Sequence, residues 1–444
     1  TMNEFSFADI DWSQALWTTA AAALSGSACA LLGCYLVLRR MSLLGDAISH
    51  AILPGIAAAF WFGGTTAALP MFLGAVAVGL LTAFFTETLN RSAGVAEDAA
   101  MGVVFTSLFA LGVVMIARLS AGRVDLDPDC VLYGRIEHVL IDSFVWRGYE
   151  IPTALLPLGA TLAATLLFIS LCWKELKIAS FDPALATAMG LSAAVVHYLL
   201  MGMVAVASVA TFDSVGSVIV VAMLIVPAAA AHLLTDRLGP MLIWAVVIAC
   251  ISAIAGYFGA VYYNTVVAGA MAVVLGAEFA LAVLLAPRHG LVSRAWHQLS
   301  LTLRIVSEDV IAMLYRNDEL GAGHSPAANE REIGVARAAC LRAAGGGPTA
   351  WLALVRLLRR GEIARATHRT LRLTEQGRLA AQSLVRSHRL WEAYLGEHFD
   401  LPLDHLHEPA ERVEHYIGPN LQERLASELA RPGIDPHGKE IPPS

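Results

Sequence analysis

Two stretches of this chain set ionisable side chains at spacings that bring them together. The first, RRMSLLGDAISHAILPG at residues 39–55, holds Asp46 and His50 four residues apart in an otherwise apolar run. On a helix, residues four apart share a face, so a carboxylate oxygen and an imidazole nitrogen could meet one ligand. An ionisable pair inside an apolar span is costly and by default marks a pathway. Pro54 and Gly55, just downstream, predict an interrupted helix of the kind that lines a cavity. The alternative is that the two side chains only bond to each other or cap a broken helix. Carboxylate with imidazole suits Mn, Fe or Zn better than an alkali ion.

The second stretch is HEPAERVEH, where His407, Glu411, Glu414 and His415 stand at i, i+4, i+7 and i+8, one face of a continuous helix. HRLWE adds His388 and Glu392, again four apart. An oxygen-rich set with imidazoles suits Mn(II), Fe(II) or Zn(II). A solvated face of mixed charge is the alternative reading. Glu87, Asp213 and Glu278, near or inside apolar runs, could join a pathway or serve packing.

The elements that must carry these residues are membrane helices. Of 444 residues 57% are hydrophobic and only 15% charged, and the mean hydropathy is +0.62, outside the range of soluble domains. Runs such as LWTTAAAALSGSACALLGCYLVL are apolar on every face, which excludes the alternating strands of a membrane barrel. The first run is long and follows an acidic segment, so no cleavable signal peptide is expected. Hydropathy predicts about eight to nine spans, near residues 13–38, 47–62, 67–89, 99–118, 151–173, 194–210, 215–234, 240–257 and 267–286, with a short gap at residues 211–214. Arg39, Arg40, Arg91, Lys174, Lys177, Arg237 and Arg288 then share one side, which places the C-terminus in the cytoplasm. Arg123, Arg135 and Arg147 fall on the other side. The six cysteines show no CxxC spacing, so neither a disulfide framework nor a zinc knuckle is expected.

From about Val292 the composition changes, and nine of the 14 histidines lie beyond it. A second, soluble domain is expected there. SEDVIAMLY reads as a helix start, GGGPTAWLALVRLLRRGEI as a turn feeding a helix, and the sequence from Thr367 as a small β-wing and a long helix. That order outlines a winged helix with a helical extension. The chain is divided accordingly into residues 1–291, 292–380 and 381–444.

The segments LRRMSLLGDAISHAILPGIA, EDAAMGVVFTSLFALGVVMI, KELKIASFDPALATAMGL and VGSVIVVAMLIVPAAAAHLLTDRLGPML together resemble the permease subunit of ABC importers for manganese, zinc and iron. The resemblance implies that Asp46 and His50, on that family's Asp-x-x-x-His motif, line the translocation route. It also implies that FDPALATAMG docks on the ATPase, with Phe181, Asp182, Pro183, Ala184 and Gly190 in that segment. Only three lysines occur, Lys174, Lys177 and Lys439, none followed by Ser or Thr, so the chain has no phosphate loop and is not itself an ATPase. A separate ATPase subunit, an outer metal-delivering solute-binding protein and a second permease chain, identical or different, are the implied partners, in a lipid membrane.

A second resemblance covers residues from about 307 to 443, most specifically LTEQGRLAAQSLVRSHRLWEAYLGEHFDLPLDHLHEPAERVEHYI, to metal-dependent repressors of the diphtheria toxin repressor type. It implies a main metal site of Asp309, Glu411, Glu414 and His415 and a second of His388, Glu392 and His407. Glu411 stands where some members carry cysteine, and resembles the manganese-responsive branch; Ala312 falls where that branch has a further acidic ligand. The expected recognition helix, PTAWLALVRLLRRG, offers Trp351 and Leu352 where base edges need polar groups, although Arg356, Arg359 and Arg360 could meet phosphates. The domain as a whole is not basic. The expectation is therefore an all-α permease with a cytoplasmic metal-sensing and dimerising module and no nucleic-acid partner; the alternative is a membrane-tethered, metal-responsive transcription regulator.

Overall fold

The first apolar run folds as α1 (Trp12–Leu38), begun by Asp11, whose carboxylate accepts from the N–H groups of Ser13 and Gln14. The protein is described by a computed structural model over residues 11–41, 43–63, 68–119, 136, 139, 143–146, 149–322, 334–399, 402, 405–429 and 433–443. It divides into two units, Thr1–Ser293 and Arg294–Ser444.

In the first unit α1 is followed by α2 (Leu44–Ala51), α3 (Leu53–Gly63), α4 (Ala68–Ala93) and α5 (Glu97–Leu119). Strands β1 (Ser143–Trp146) and β2 (Tyr149–Pro152) pair antiparallel. Then come α6 (Leu155–Leu171), α7 (Trp173–Phe181), α8 (Pro183–Ala188), α9 (Ala193–Val215), α10 (Ser217–Leu234), α11 (Leu238–Tyr263) and α12 (Val267–Leu285). Among the described residues six helices are long and apolar enough to cross a bilayer, or seven if α6 and α7, bent by 76° at Cys172, count as one span.

That is fewer than the eight to nine expected, for local reasons. The run 47–62 is split at Ile52 into α2 and α3, and Pro54, which lacks an N–H, is tolerated because it falls in the first turn of α3. Helix α10 has only 18 residues, about 27 Å, at the short limit of a crossing. The gap expected at residues 211–214 is absent: α9 runs on to Val215, and the break falls at Gly216, whose φ of 85° suits only glycine. The span expected from residue 151 starts at Leu155, because the hairpin takes the preceding residues.

Small residues let the helices approach closely. A Cβ on Gly33 of α1 would stand 1.7 Å from the Leu224 carbonyl oxygen of α10. One on Gly55 of α3 would lie 2.3 Å from the Gly74 oxygen of α4. Helix α1 is packed by α6, α9, α10 and α11, and α2 by α4, α5, α9 and α10.

The second unit opens on α13 (Leu291–Ala322), so SEDVIAMLY lies inside a helix and does not begin one. Next are β3 (Val335–Ala336), α14 (Arg337–Ala343), α15 (Gly347–Arg360), β4 (Ile363–Arg365) and β5 (Thr370–Leu373), with the sheet ordered β3-β5-β4 and antiparallel. Helix α16 (Glu375–His398) is capped by Thr374, whose hydroxyl accepts from Gly377 N–H at 3.1 Å and donates to the Gly361 carbonyl at 2.6 Å. Then follow α17 (His407–Val413), a 3-10 turn (Glu414–Tyr416) and α18 (Pro419–Glu428). One core gathers Val310, Leu314, Leu354, Leu357, Leu371 and Val385; another gathers Leu390, Ile417, Leu425 and Ile441.

Candidate metal centres

Helix α2 carries both Asp46 and His50, one turn apart. The Asp46 side chain lies outside the described residues. His50 is partly buried, with its ring centroid 6.3 Å from that of Phe105 and 6.1 Å from that of Phe109, both on α5. The α2–α3 interruption predicted from Pro54 and Gly55 is present directly after His50.

The segment expected to meet the ATPase is more ordered than a loop. Phe181 ends α7 and is exposed, and Asp182 caps α8, accepting from Leu185 N–H at 2.9 Å. Pro183 and Ala184 form the first turn of α8, and Gly190, at φ 84°, ends it. One residue before Phe181, the Ser180 hydroxyl accepts from Arg39 Nε at 3.2 Å. Arg39 Nη1 lies 3.5 Å from His197 Nδ1 of α9, whose Nε2 is 3.9 Å from Glu87 Oε2 of α4. Arg39, the C-cap of α1, is thereby tied to the end of α7 just before Phe181.

In the second unit the expected histidines and carboxylates gather in two groups, and Glu392 also meets Asp435 and His437 of the C-terminal turn in a third. His388 and Glu392 face the same way on α16, and His407 reaches them from the start of α17. His388 Nε2 is 3.0 Å from Glu392 Oε1 and 2.9 Å from His407 Nδ1, and His407 Nδ1 is 2.9 Å from Glu392 Oε1. Three donors at such separations match one face of an octahedron with bonds of about 2.1 Å, whose edges are about 3.0 Å. His388 and Glu392 are buried and His407 is half exposed, which leaves one side open.

The second group is Asp309 of α13 with Glu414 and His415 of the 3-10 turn, all offering ligand atoms within 4.8 Å of one another. His415 Nε2 is 3.3 Å from Asp309 Oδ1, and its Nδ1 is 2.7 Å from Glu308 Oε2. This group borders a cavity of about 300 Å³ that Arg304, Arg356 and Arg360 also line.

Glu411 lies exposed on α17, outside both groups. A continuous α-helix would align it with His407, Glu414 and His415. The α-helix instead ends at Val413, and the following turn winds at three residues per turn, which sends Glu414 and His415 to one group and His407 to the other. Glu414 nevertheless joins the two, since its Oε2 lies 2.5 Å from His388 Nδ1. Spacing alone missed Glu308, Asp435 and His437; only Glu308 gave a signal, as the neighbour of Asp309. Ala312 is buried in the core, 4% exposed, and supplies no ligand.

These contacts set the charges. Burial disfavours the imidazolium of His415, but hydrogen bonds to Asp309 and Glu308 outweigh it and lift its pKa to about 9. Burial likewise works against charged His388, and Glu392 and Glu414 reverse it, raising its pKa. Glu392 is buried too, yet His388 and His407 hold it well below the ordinary carboxylate range. Two carboxylates and imidazoles arranged this way fit a borderline divalent ion, provided the imidazolium protons leave on binding.

Comparison with known proteins agrees with both halves of this picture. Residues 374–443 match the iron dependent repressor, metal binding and dimerisation domain. The manganese transport system membrane protein MntD of Bacillus subtilis is 47% identical over 286 residues, 64% of this chain and 96% of that protein. The zinc transport system membrane protein TroD of Treponema pallidum is 40% identical over 60% of this chain and 72% of its own length. Among solved structures, PsaBC from Streptococcus pneumoniae in complex with Fab aligns with a TM-score of 0.52 and 32% identity, covering 62% of this chain and 92% of that one. With residues 12–286 matched by that family's model, the chain belongs to the ABC 3 transport family, as a multi-pass membrane permease fused to a repressor-type metal-binding domain.

Proposed function

We propose that the chain is the permease of an ATP-driven importer of manganese, zinc or iron, with a cytoplasmic domain that senses the imported ion. The observation that carries the transport reading is His50 on the short helix α2, packed among α4, α5, α9 and α10 and followed at once by the α2–α3 break. An imidazole at an interrupted helix can ligate an ion in passage, and Asp46, one turn earlier, would supply an oxygen. The exposed α8 segment, from Phe181 to Gly190, would receive the ATPase, and Arg39 and Ser180 would relay its movement to the approach of α2. A solute-binding protein outside and a second permease chain complete the assembly.

For the sensing domain, His388 with Glu392 and His407 would hold one ion, and Asp309, Glu414 and His415 another. The His388 Nδ1–H donates to Glu414, which fixes the tautomer that leaves Nε2 able to ligate. One ion would then crosslink α16 with α17, and the other α13 with the 3-10 turn, each adding to the side-chain contacts already there. Sensing requires that the ion bind one arrangement better than another, since equal affinity shifts nothing. Trp351 and Leu352, 49% and 38% exposed on α15, support a domain that does not read base edges.

The test is uptake of radiolabelled Mn(II) by cells carrying the complete transporter. His50→Ala and Asp46→Ala should reduce uptake to background at an unchanged membrane level of the chain. Wild-type uptake by both variants would overturn the pathway assignment. Glu414→Ala should leave basal uptake intact while abolishing its decline as cytosolic metal rises; an unaltered decline would overturn the sensing role.

A further inference from the structure

We propose that the cavity beside Glu414 and His415 is a binding site for a small oxyanion, a phosphate or carboxylate on a short carbon body, with Arg356 as its charge partner. The volume is about 300 Å³, at the small end of the range for metabolite sites. Short side chains make the space. Ala380, Ser383 and Ser387 recur at spacings of three and four along one face of α16, so no long side chain fills the hollow there. Ile311, Leu384 and Ile417 supply apolar walls. Arg304 and Arg360 also line it, and their side chains are 59% and 56% exposed, which puts them at a mouth that solvent reaches.

The charges around the cavity are matched except for one. Arg304 Nε donates to Glu308 Oε1 at 2.8 Å, and Arg360 Nη1 lies 3.7 Å from Glu362 Oε1. Glu414, the third carboxylate of the lining, meets His388 and lies 3.9 Å from Arg316 Nη2. Arg356 stands four residues before Arg360 on α15 and shares its face. It is half-buried and has no hydrogen-bond or ion-pair partner among the described residues. A guanidinium carries five N–H donors in a planar fork that matches two oxygens of a carboxylate or phosphate. Arg356 is therefore the surplus cation of the cavity, and an oxyanion is what it lacks.

Two further groups favour negative charge in the same place. Ser383 Oγ accepts from Gln422 Nε2 at 3.3 Å, which leaves its own proton to donate. The hydroxyls of Ser307 and Ser387, by contrast, are spent on the carbonyls of Leu303 and Ser383. Helix α18 begins at the cavity, where Gly418 caps it without a side chain and the first turn holds no acidic residue. The positive end of that helix is thus left uncancelled, and it adds to the field of Arg356.

The site is linked to the metal centre beside it, a part of the proposal that rests on the reading that Asp309, Glu414 and His415 hold a divalent ion. Glu414 and His415 belong both to that group and to the cavity lining. An ion there adds positive charge and offsets the Glu414 carboxylate, which otherwise opposes an anion. Each ligand then tightens the other by the same factor, because coupling between two sites is reciprocal. The domain so built responds to metal and to the supply of a small anionic metabolite together.

The test is equilibrium dialysis of the full chain in detergent against radiolabelled sulfate, with and without Mn(II), with bound manganese measured in the same samples. Wild type should bind sulfate, and Mn(II) should tighten it by a factor of about 5 to 150. Arg356→Gln should weaken sulfate about tenfold or more; it strands no partner, so the fold is kept, and Arg356→Lys should recover part of the loss. Glycerol phosphate and malonate as competitors distinguish a phosphate ester from a carboxylate as the better ligand. No sulfate binding to wild type at millimolar concentration, or equal binding by Arg356→Gln, overturns the site. If sulfate binds through Arg356 but is unmoved by Mn(II), the link is overturned where Asp309→Ala lowers bound manganese, and the underlying metal reading falls where it does not.

Discussion

Raising the pH should loosen the second unit when metal is absent. His415 moves from an ordinary pKa of 6.5 to about 9 through Asp309 and Glu308; its own side chain is 6% exposed, but that of Asp309 is 39% exposed, so solvent screens part of the interaction. A histidine with a raised folded pKa stabilises the fold fully below its unfolded value and loses that contribution as pH rises through its folded value. The difference, at 1.36 kcal/mol per unit, sets a ceiling of about 3 kcal/mol that screening at Asp309 lowers, fully present below pH 6.5 and gone above about pH 9. His388, also raised, adds in the same direction. Glu308, whose pKa is lowered by His415 and Arg304 against its burial, acts in the opposite window: its share is present above the ordinary carboxylate value and lost in acid. The Glu308–His415 contact is one interaction seen from two sides, so the two contributions are not summed. Urea unfolding of residues 294–444 with chelator, followed by Trp351 and Trp391 fluorescence at pH 6 to 10, would show the decline. Saturating Mn(II) should flatten or reverse it, because the ion then competes with the protons that are lost. A stability independent of pH under chelator, or the same slope in His415→Gln, would refute the reasoning.

Two further substitutions probe the fold that carries the sites. Gly33→Leu should prevent assembly of the membrane unit, since even a Cβ there meets the Leu224 carbonyl oxygen at 1.7 Å; the readout is loss of a monodisperse detergent peak, and normal yield would contradict the packing. Arg389→Met should cost about 3–5 kcal/mol in urea melts of the second unit, because it strands Glu319 and the buried Asp435 without their cation. A loss under 1 kcal/mol would mean that Ile441 and the Arg386–Pro442 hydrogen bond hold the tail without Arg389.

The legible parts of this molecule are those where one local rule suffices. Hydropathy identified a helical membrane protein, and the permease and repressor resemblances lay on continuous motifs. His388 and Glu392 were readable as partners because α16 is an unbroken helix, for which a spacing of four means one face. The same rule failed at Glu411, where the helix ends two residues later at Val413. Span counting failed for another reason, because a hydropathy window registers apolar residues and is blind to the break at Ile52 and to the limited length of α10. Glu308, Asp435 and His437 reach the candidate sites through tertiary contacts that no spacing encodes. Asp309 came only through the resemblance, since it is about a hundred residues from His415.

The burial of α1 bears on how the chain is made. It is 78% buried, against 22–44% for the other single-helix spans, and its closest neighbours are α10 and α11. Those helices begin some 180 residues after α1 ends, and at ribosomal speeds of about 5–20 residues per second they follow roughly 10–40 s later. A nascent α1 therefore waits in the bilayer with Ser25, Ser27 and Gly33 facing lipid, and receives its permanent neighbours only when the second half of the membrane unit arrives. Truncated chains ending before α10 would leave the polar and small-residue face of α1 uncovered, a form that membrane quality control can recognise and remove.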